Sequence, residues 1–287
     1  MQHHRLALVM AGLVTTLPSV AVEWDAPQEP FALFGNSYYV GPRGVASVLI
    51  TSGQGHILID GGSDKSPPQI ARHIRQLGFK LEDIRFILVS HAHIDHAGGI
   101  AELQRLTNAE VLASSAGVPV LRSGAAGPDD PQYGKLPQMA PIARVRAVSD
   151  GDIVKLGPLA VTMHATPGHT QGGASWTWQS TQGGRTANMV YADSLNAYGS
   201  GGFRFSADPR YPGARLDVER SSARIAALPC DVLVSAHPEV SNLWARHARR
   251  ASLGEAAFID GGACKAYAAN ALTRLQQRLA EEAGKSE

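Results

Sequence analysis

A chain of 287 residues, 44% of them hydrophobic, is long enough to form one large domain around a sizeable core. Its 26 basic and 25 acidic side chains leave a formal net charge of +1, and no basic stripe with interleaved aromatics occurs, which argues against a nucleic-acid surface. No internal stretch is long and apolar enough to span a membrane.

The first residues read as an export signal. Arg5, beside His3 and His4, precedes the apolar run Leu6–Val14, and Ser19 and Ala21 bracket Val20 in the small-x-small pattern of a signal-peptidase site. Pro18 interrupts any continuation as a core helix. Residues 1–21 are therefore expected to be a cleaved signal peptide, with 22–287 a single mature domain in a bacterial periplasm.

Beyond this segment, Phe31-Ala32-Leu33 and Tyr38-Tyr39-Val40 read as short strands around Gly35-Asn36. Val45 to Thr51 and His56 to Asp60 form a hairpin across Ser52-Gly53-Gln54-Gly55. Ser66, Pro67 and Pro68 start a helix with Ile70, Ile74 and Leu77 as its buried stripe, and Gly78 ends it. Phe86-Ile87-Leu88-Val89 is a buried strand, Ile100, Leu103 and Leu106 repeat at helical spacing, and Val111-Leu112-Ala113 is the next strand. Residues 123–141, rich in Gly, Pro, Asp and Ala, read as a long surface loop, either functional or a mere insertion. Strands follow over 144–148, 153–156, 159–164, 174–178 and 189–192, with Gly183-Gly184 turning a hairpin. A second irregular stretch, 196–215, precedes a helix over 217–228, a strand over 231–235 and a long helix over 263–283. Strands followed by helices in each half predict an α/β fold of two packed sheets with helices outside.

The chemistry concentrates in Ser90-His91-Ala92-His93-Ile94-Asp95-His96-Ala97-Gly98-Gly99, on the loop between a strand and a helix. Neutral imidazole and carboxylate are ordinary zinc ligands. His91, His93 and Asp95 alternate, so an extended segment projects them to one side while His96 points elsewhere. One segment can thus serve two metals. A merely solvated polar loop needs no such density of donors. His169 lies in a turn between strands, His237 follows Val232-Leu233-Val234-Ser235, and Asp193 ends Val190-Tyr191-Ala192, so all three stand at strand ends where they can converge on the motif. Cys230 and Cys264 are the only cysteines; in an exported protein they can pair, and two buried free thiols are the alternative.

The pattern His91-x-His93-x-Asp95-His96, then His169, then His237, preceded by Leu58-Ile59-Asp60-Gly61-Gly62, resembles the metallo-β-lactamase superfamily over nearly all of the mature chain. The resemblance implies an αββα sandwich with a metal site at its open edge. It also implies that His91, His93 and His169 hold a first zinc, and Asp95, His96 and His237 a second. Closer features are similar to subclass B3. Ser194 stands where the sister subclass carries a cysteine ligand, Cys230 and Cys264 look like the paired cysteines of B3 enzymes, and Tyr38-Tyr39-Val40-Gly41 and Gly168-His169-Thr170 fit as well.

A B3 enzyme opens the amide of β-lactam antibiotics and so confers resistance. The resemblance implies a hydroxide held by two zinc ions, with Asp95 both ligand and orienter of that nucleophile. Ser194 and Asn196 would bind the drug carboxylate, unless they simply cap a loop. Phe203 takes a place where a phenolic donor is expected. The partner is then a small-molecule β-lactam, and a monomer is expected. Another dinuclear zinc hydrolase of the same fold, a thioesterase like glyoxalase II or a lactonase, is the alternative; Asp193 stands close to the metal-bridging aspartate of such thioesterases. A periplasmic metal-binding protein without catalysis is disfavoured by the complete ligand set. His56, His73, His164 and His247 lack motif context and read as structural or solvated, and Trp176 and Trp178 as packing residues.

Overall fold

The computed structural model describes residues 23–284, so the expected signal peptide lies outside the described residues. Seven strands form the first sheet in sequence order: β1 (Phe31–Phe34), β2 (Ser37–Tyr39), β3 (Val48–Ser52), β4 (Gly55–Ile59), β5 (Ile84–Leu88), β6 (Glu110–Ser114) and β7 (Val145–Val148). The first four pair antiparallel and the rest run parallel to β4. Five strands form the second sheet: β8 (Ile153–Leu156), β9 (Leu159–Ala165), β10 (Ala174–Gln182), β11 (Arg185–Ala192) and β12 (Val232–Ser235). Its pairs are antiparallel except β11 with β12, which the helix crossover makes parallel.

The apolar run of each central strand follows from burial on both faces. In β3 and β4, Val48, Ile50, Ile57 and Ile59 point between the sheets and meet Trp176, Met189, Tyr191 and Val234. Their neighbours Leu49 and Leu58 point the other way, against Ile70 and Ile74 of helix α1 (Pro67–Gln76) and Ile100 and Leu103 of a later helix. On the far side of the second sheet, Val190 and Leu233 pack on Ile225, Tyr267 and Ala271. Two packed mixed sheets with helices outside are the αββα sandwich that the residue pattern implies.

Most boundaries fall within a few residues of the sequence reading, with two instructive differences. Asp95 and His96, expected on an extended loop, lie in a short helix α2 (Ile94–Ala97), which leads into α3 (Ile100–Thr107). Several brief helices carry no readable periodicity and were not expected: α4 (Gly117–Ser123) before the long loop, then α6 (Leu243–Ala248) and α7 (Arg250–Leu253) after α5 (Ala214–Ala227). A helix of one or two turns shows too few positions for a 3.6-residue pattern to emerge. The long helix α8 (Ala263–Ala283) was legible because five turns of it repeat the pattern.

Cys230, just beyond α5, and Cys264, in the first turn of α8, form a disulfide with their Cα atoms 6.3 Å apart. The bridge closes a loop of sequence separation 34 that contains β12. Cross-linking a loop of that length restricts the unfolded chain, by roughly 2–4 kcal/mol in typical cases. Denaturant unfolding of oxidised and reduced protein is expected to differ by that amount, with the Cys230→Ser/Cys264→Ser double variant matching the reduced form.

Candidate metal centre

The site begins with an aspartate in an unusual backbone conformation. Asp60, at the end of β4, has φ 58°, a left-handed value that a non-glycine residue adopts only when its surroundings hold it there. Its carboxylate is buried and accepts hydrogen bonds from the Ser90 N–H at 2.7 Å, the Ser90 hydroxyl at 2.6 Å and the Tyr191 hydroxyl at 2.7 Å. Ser90, two residues beyond β5, is thereby fixed against both sheets. The next turns fit closely: an added Cβ on Gly99 would stand 2.3 Å from the Gly61 carbonyl oxygen, so only glycine lets α3 approach β4 there.

His91, His93 and His169 form a near-equilateral triangle, with ring centroids 4.7, 4.9 and 4.9 Å apart. Each ring is anchored through the nitrogen that faces away from the triangle. His91 Nδ1 meets Asp193 Oδ1 at 2.7 Å, His93 Nε2 meets Asp130 Oδ2 at 2.9 Å, and His169 Nδ1 donates to the Asn196 carbonyl at 2.9 Å. The opposite nitrogens, His91 Nε2, His93 Nδ1 and His169 Nε2, turn inward. His91 Nε2 is buried without a partner, and the Gln132 amide stands 3.4 Å from His93 Nδ1 and 3.5 Å from His169 Nε2.

A second set lies beside the first. Asp95 Oδ2 is 3.1 Å from His96 Nε2 and 3.3 Å from His237 Nε2, and the two imidazole nitrogens are 3.2 Å apart. His237 is also within 3.3 Å of the Gly44 carbonyl through Nδ1. Among the described residues, the groups whose donor atoms lie close enough for one ion are His91, His93, His169 and His91, Asp95, His96. His91 thus borders both positions, and His237 reaches the second through Asp95 and His96.

The electrostatics favour a cation. Burial, with the charges of the neighbouring histidines, holds His91 well below the usual histidine range, and burial followed by the charge of His93 lowers His169 to about 3. Burial alone would raise the Asp95 carboxyl, but His96 and His237 outweigh it and hold that group well below the ordinary carboxylate range. Burial pushes Asp193 well up, helped by Asp60 and Asp95. Neutral His91 and His169, an ionised carboxylate and the orphaned inward nitrogen of His91 suit a divalent ion of nitrogen and oxygen preference.

All six expected ligand residues are brought together. Asp193 meets His91 from behind, with its backbone carbonyl taken by the Tyr267 hydroxyl at 2.8 Å. Ser194 is buried and its hydroxyl has no partner, whereas the Asn196 side chain is exposed and its carbonyl serves His169. Asp130 and Gln132 were not singled out in the sequence; the only signal was the length of the loop that carries them. The remaining histidines have structural contacts, such as His73 Nδ1 with the Val40 carbonyl at 2.8 Å and His164 with Thr177 at 2.8 Å. Trp176 and Trp178 pack in the core and donate to the Val89 carbonyl and to Ser37.

The metallo-beta-lactamase superfamily profile matches residues 40–237, and the chain belongs to that superfamily. MEM-A1, a subclass B3 metallo-beta-lactamase isolated from a soil metagenome library, is 62% identical with a TM-score of 0.91, covering 92% of this chain and 100% of that one. The Rm3 metallo-beta-lactamase is 54% identical, covering 92% of this chain and 98% of its own, with a TM-score of 0.90. Metallo-beta-lactamase SMB-1 is 48% identical, covering 91% and 99%, with a TM-score of 0.88. The subclass B3 resemblance read from Ser194 and the paired cysteines is borne out. A hydroxyacylglutathione hydrolase of Pseudomonas paraeruginosa is 31% identical over 148 residues, 52% of this chain, and the match spans only 45% of that protein's length.

The anchoring partners fix the tautomers. A backbone carbonyl can only accept, so His169 carries its proton on Nδ1; burial raises and His93 lowers the Asp130 carboxyl, with a net lowering that leaves an acceptor for His93 Nε2–H. Two-bond proton–nitrogen correlations on the metal-free protein near neutral pH are expected to show His169 as the Nδ1–H form and His93 as the Nε2–H form. The reverse pattern would contradict the arrangement.

Proposed function

We propose that this chain is an exported, dinuclear zinc β-lactamase of the B3 type that hydrolyses the amide of β-lactam antibiotics and thereby confers resistance. The observation that carries the reading is the pair of adjacent donor sets, the first oriented by buried partners, in a chain of which 92% aligns with a B3 enzyme. His91, His93 and His169 would hold one ion, and Asp95, His96 and His237 the other. When bound, zinc supplies Lewis acidity for the lactam carbonyl and makes water acidic enough to serve as nucleophile, with a pKa of about 7.

The chain's own residues do the rest. Asp193, Asp130 and the Asn196 carbonyl hold three imidazoles in one tautomer and one orientation each, so the donors need not reorganise. Asp95, kept ionised between His96 and His237, can orient a nucleophile's proton as well as bind a cation. Ser194 has no base within hydrogen-bond reach of its hydroxyl, which supports a role in binding the substrate carboxylate over covalent attack. Asn196 stands exposed at the rim, where its amide can meet the same carboxylate. Periplasmic residence rests on the small residues Ser19 and Ala21 after an apolar run.

The thioesterase reading has one observation in its favour, the partial match to hydroxyacylglutathione hydrolases. Against it, Asp193 Oδ1 is engaged with the outward nitrogen of His91, the place of a supporting residue and not of a bridge between ions. Hydrolysis of a chromogenic cephalosporin, abolished by chelator and restored by zinc, is the expected result; rapid thioester cleavage without β-lactam turnover would move the assignment. Ser194→Ala is expected to raise KM several-fold while retaining substantial kcat in steady-state assays, since it removes binding and not the nucleophile. An acyl-enzyme trapped on Ser194 would overturn that mechanism.

A further inference from the structure

Arg246 is a charged side chain buried where no carboxylate touches it. It lies in α6, only 3% exposed, behind the segment that presents His237. Its Nη2 donates to the Leu233 carbonyl at 3.0 Å and to the Ser241 carbonyl at 2.7 Å. Nε and Nη1 are buried without hydrogen-bond partners. Burial is the largest influence on it and lowers its pKa, with Asp260 attracting and Arg249 repelling but neither paired with it. Guanidinium nonetheless stays ionised in proteins. Burying such a charge is costly, and an apolar side chain of similar volume would avoid the cost.

The placement of the two carbonyls supplies a reason. Leu233 stands four residues before His237 and Ser241 four residues after it. Leu233 belongs to β12, an edge strand whose outward carbonyls have no strand to pair with. Ser241 ends the 3₁₀ turn Pro238–Ser241, after which the chain reverses at Asn242 with φ 55°. One guanidinium therefore ties together the two ends of the bend that carries His237. The backbone at His237 is also held by the Ser235 hydroxyl, which donates to the His237 carbonyl at 2.6 Å, but the imidazole itself is about one-third exposed and its outward nitrogen is 3.3 Å from the Gly44 carbonyl, longer than the 2.7–2.9 Å anchors of the first set.

We propose that Arg246 is a positioning residue for His237, holding the bend at the register that keeps Nε2 beside Asp95 and His96. The inference rests on the reading of His237 as a ligand of the second ion. It places control of that ion on a side chain that touches neither metal nor substrate. An arginine that merely stabilised the fold would lower unfolding stability and leave the balance between the two metal positions unchanged.

The test is zinc titration of the full chain against a chromophoric chelator, resolving the two binding steps. Wild type taking up one equivalent would overturn the dinuclear reading itself, before any variant is made. With two equivalents in wild type, Arg246→Met, which keeps the packing stem and loses the donors, is expected to weaken the second step about tenfold or more and leave the first within about twofold. Unchanged affinity at both steps, or equal loss at both, would overturn the positioning role. Should Arg246→Met fail to fold, Arg246→Gln decides: its single amide reaches at most one carbonyl, so a selective but smaller loss of the second step is expected. Wild-type affinity at both steps in that variant would overturn the proposal.

Discussion

The interaction on which the centre depends is the buried Asp60 carboxylate. It stands at the end of β4, receives two hydrogen bonds from Ser90 after β5, and receives a third from Tyr191 of β11 in the other sheet. A carboxylate so placed would be expensive alone; satisfied by three donors, it locks the edges of two sheets into one register. His91 comes one residue after Ser90, and Asp193 two residues after Tyr191, so the His91–Asp193 contact follows from that lock. The left-handed backbone of Asp60 is part of the same device, since it turns the carboxylate back toward the strand ends.

The histidines of the centre then face one another with ring centroids less than 5 Å apart. Burial and the neighbouring charges hold His91 and His169 below the usual histidine range, and His91, His93 and His169 each have one nitrogen committed to a carboxylate or a carbonyl. What remains is a set of inward lone pairs beside an ionised aspartate. This combination is unfavourable for a third proton or a neutral ligand and favourable for a cation. Ligation is therefore prepared by the supporting residues as much as by the ligands.

How much of this was legible depended on distance along the chain. The ligands after β5 declare themselves because donors on one short segment must keep fixed spacing, and His169, Asp193 and His237 because each stands in a turn or loop just beyond a strand end. Long strands and α8 were readable from periodicity. Asp130 and Gln132 were not, because their relation to His93 and His169 is created by the path of a loop that has no pattern of its own. Arg246 was hidden for a different reason: its partners are backbone carbonyls, which every residue possesses, so no sequence signature marks them. The short helix holding Asp95 and His96 leaves no mark in the sequence because four residues cannot reveal a helical period.

The division of donors between the sheets has a kinetic consequence. His91, His93, Asp95 and His96 follow a strand of the first sheet, while His169 and His237 belong to the second, with His96 and His237 separated by 141 positions. Neither half of the chain can assemble the centre. Bringing such remote segments together requires closure of a long loop, whose entropy must be spent before the contacts return it. The centre is complete only once both sheets have met, and an ion bound there would join them as a clasp.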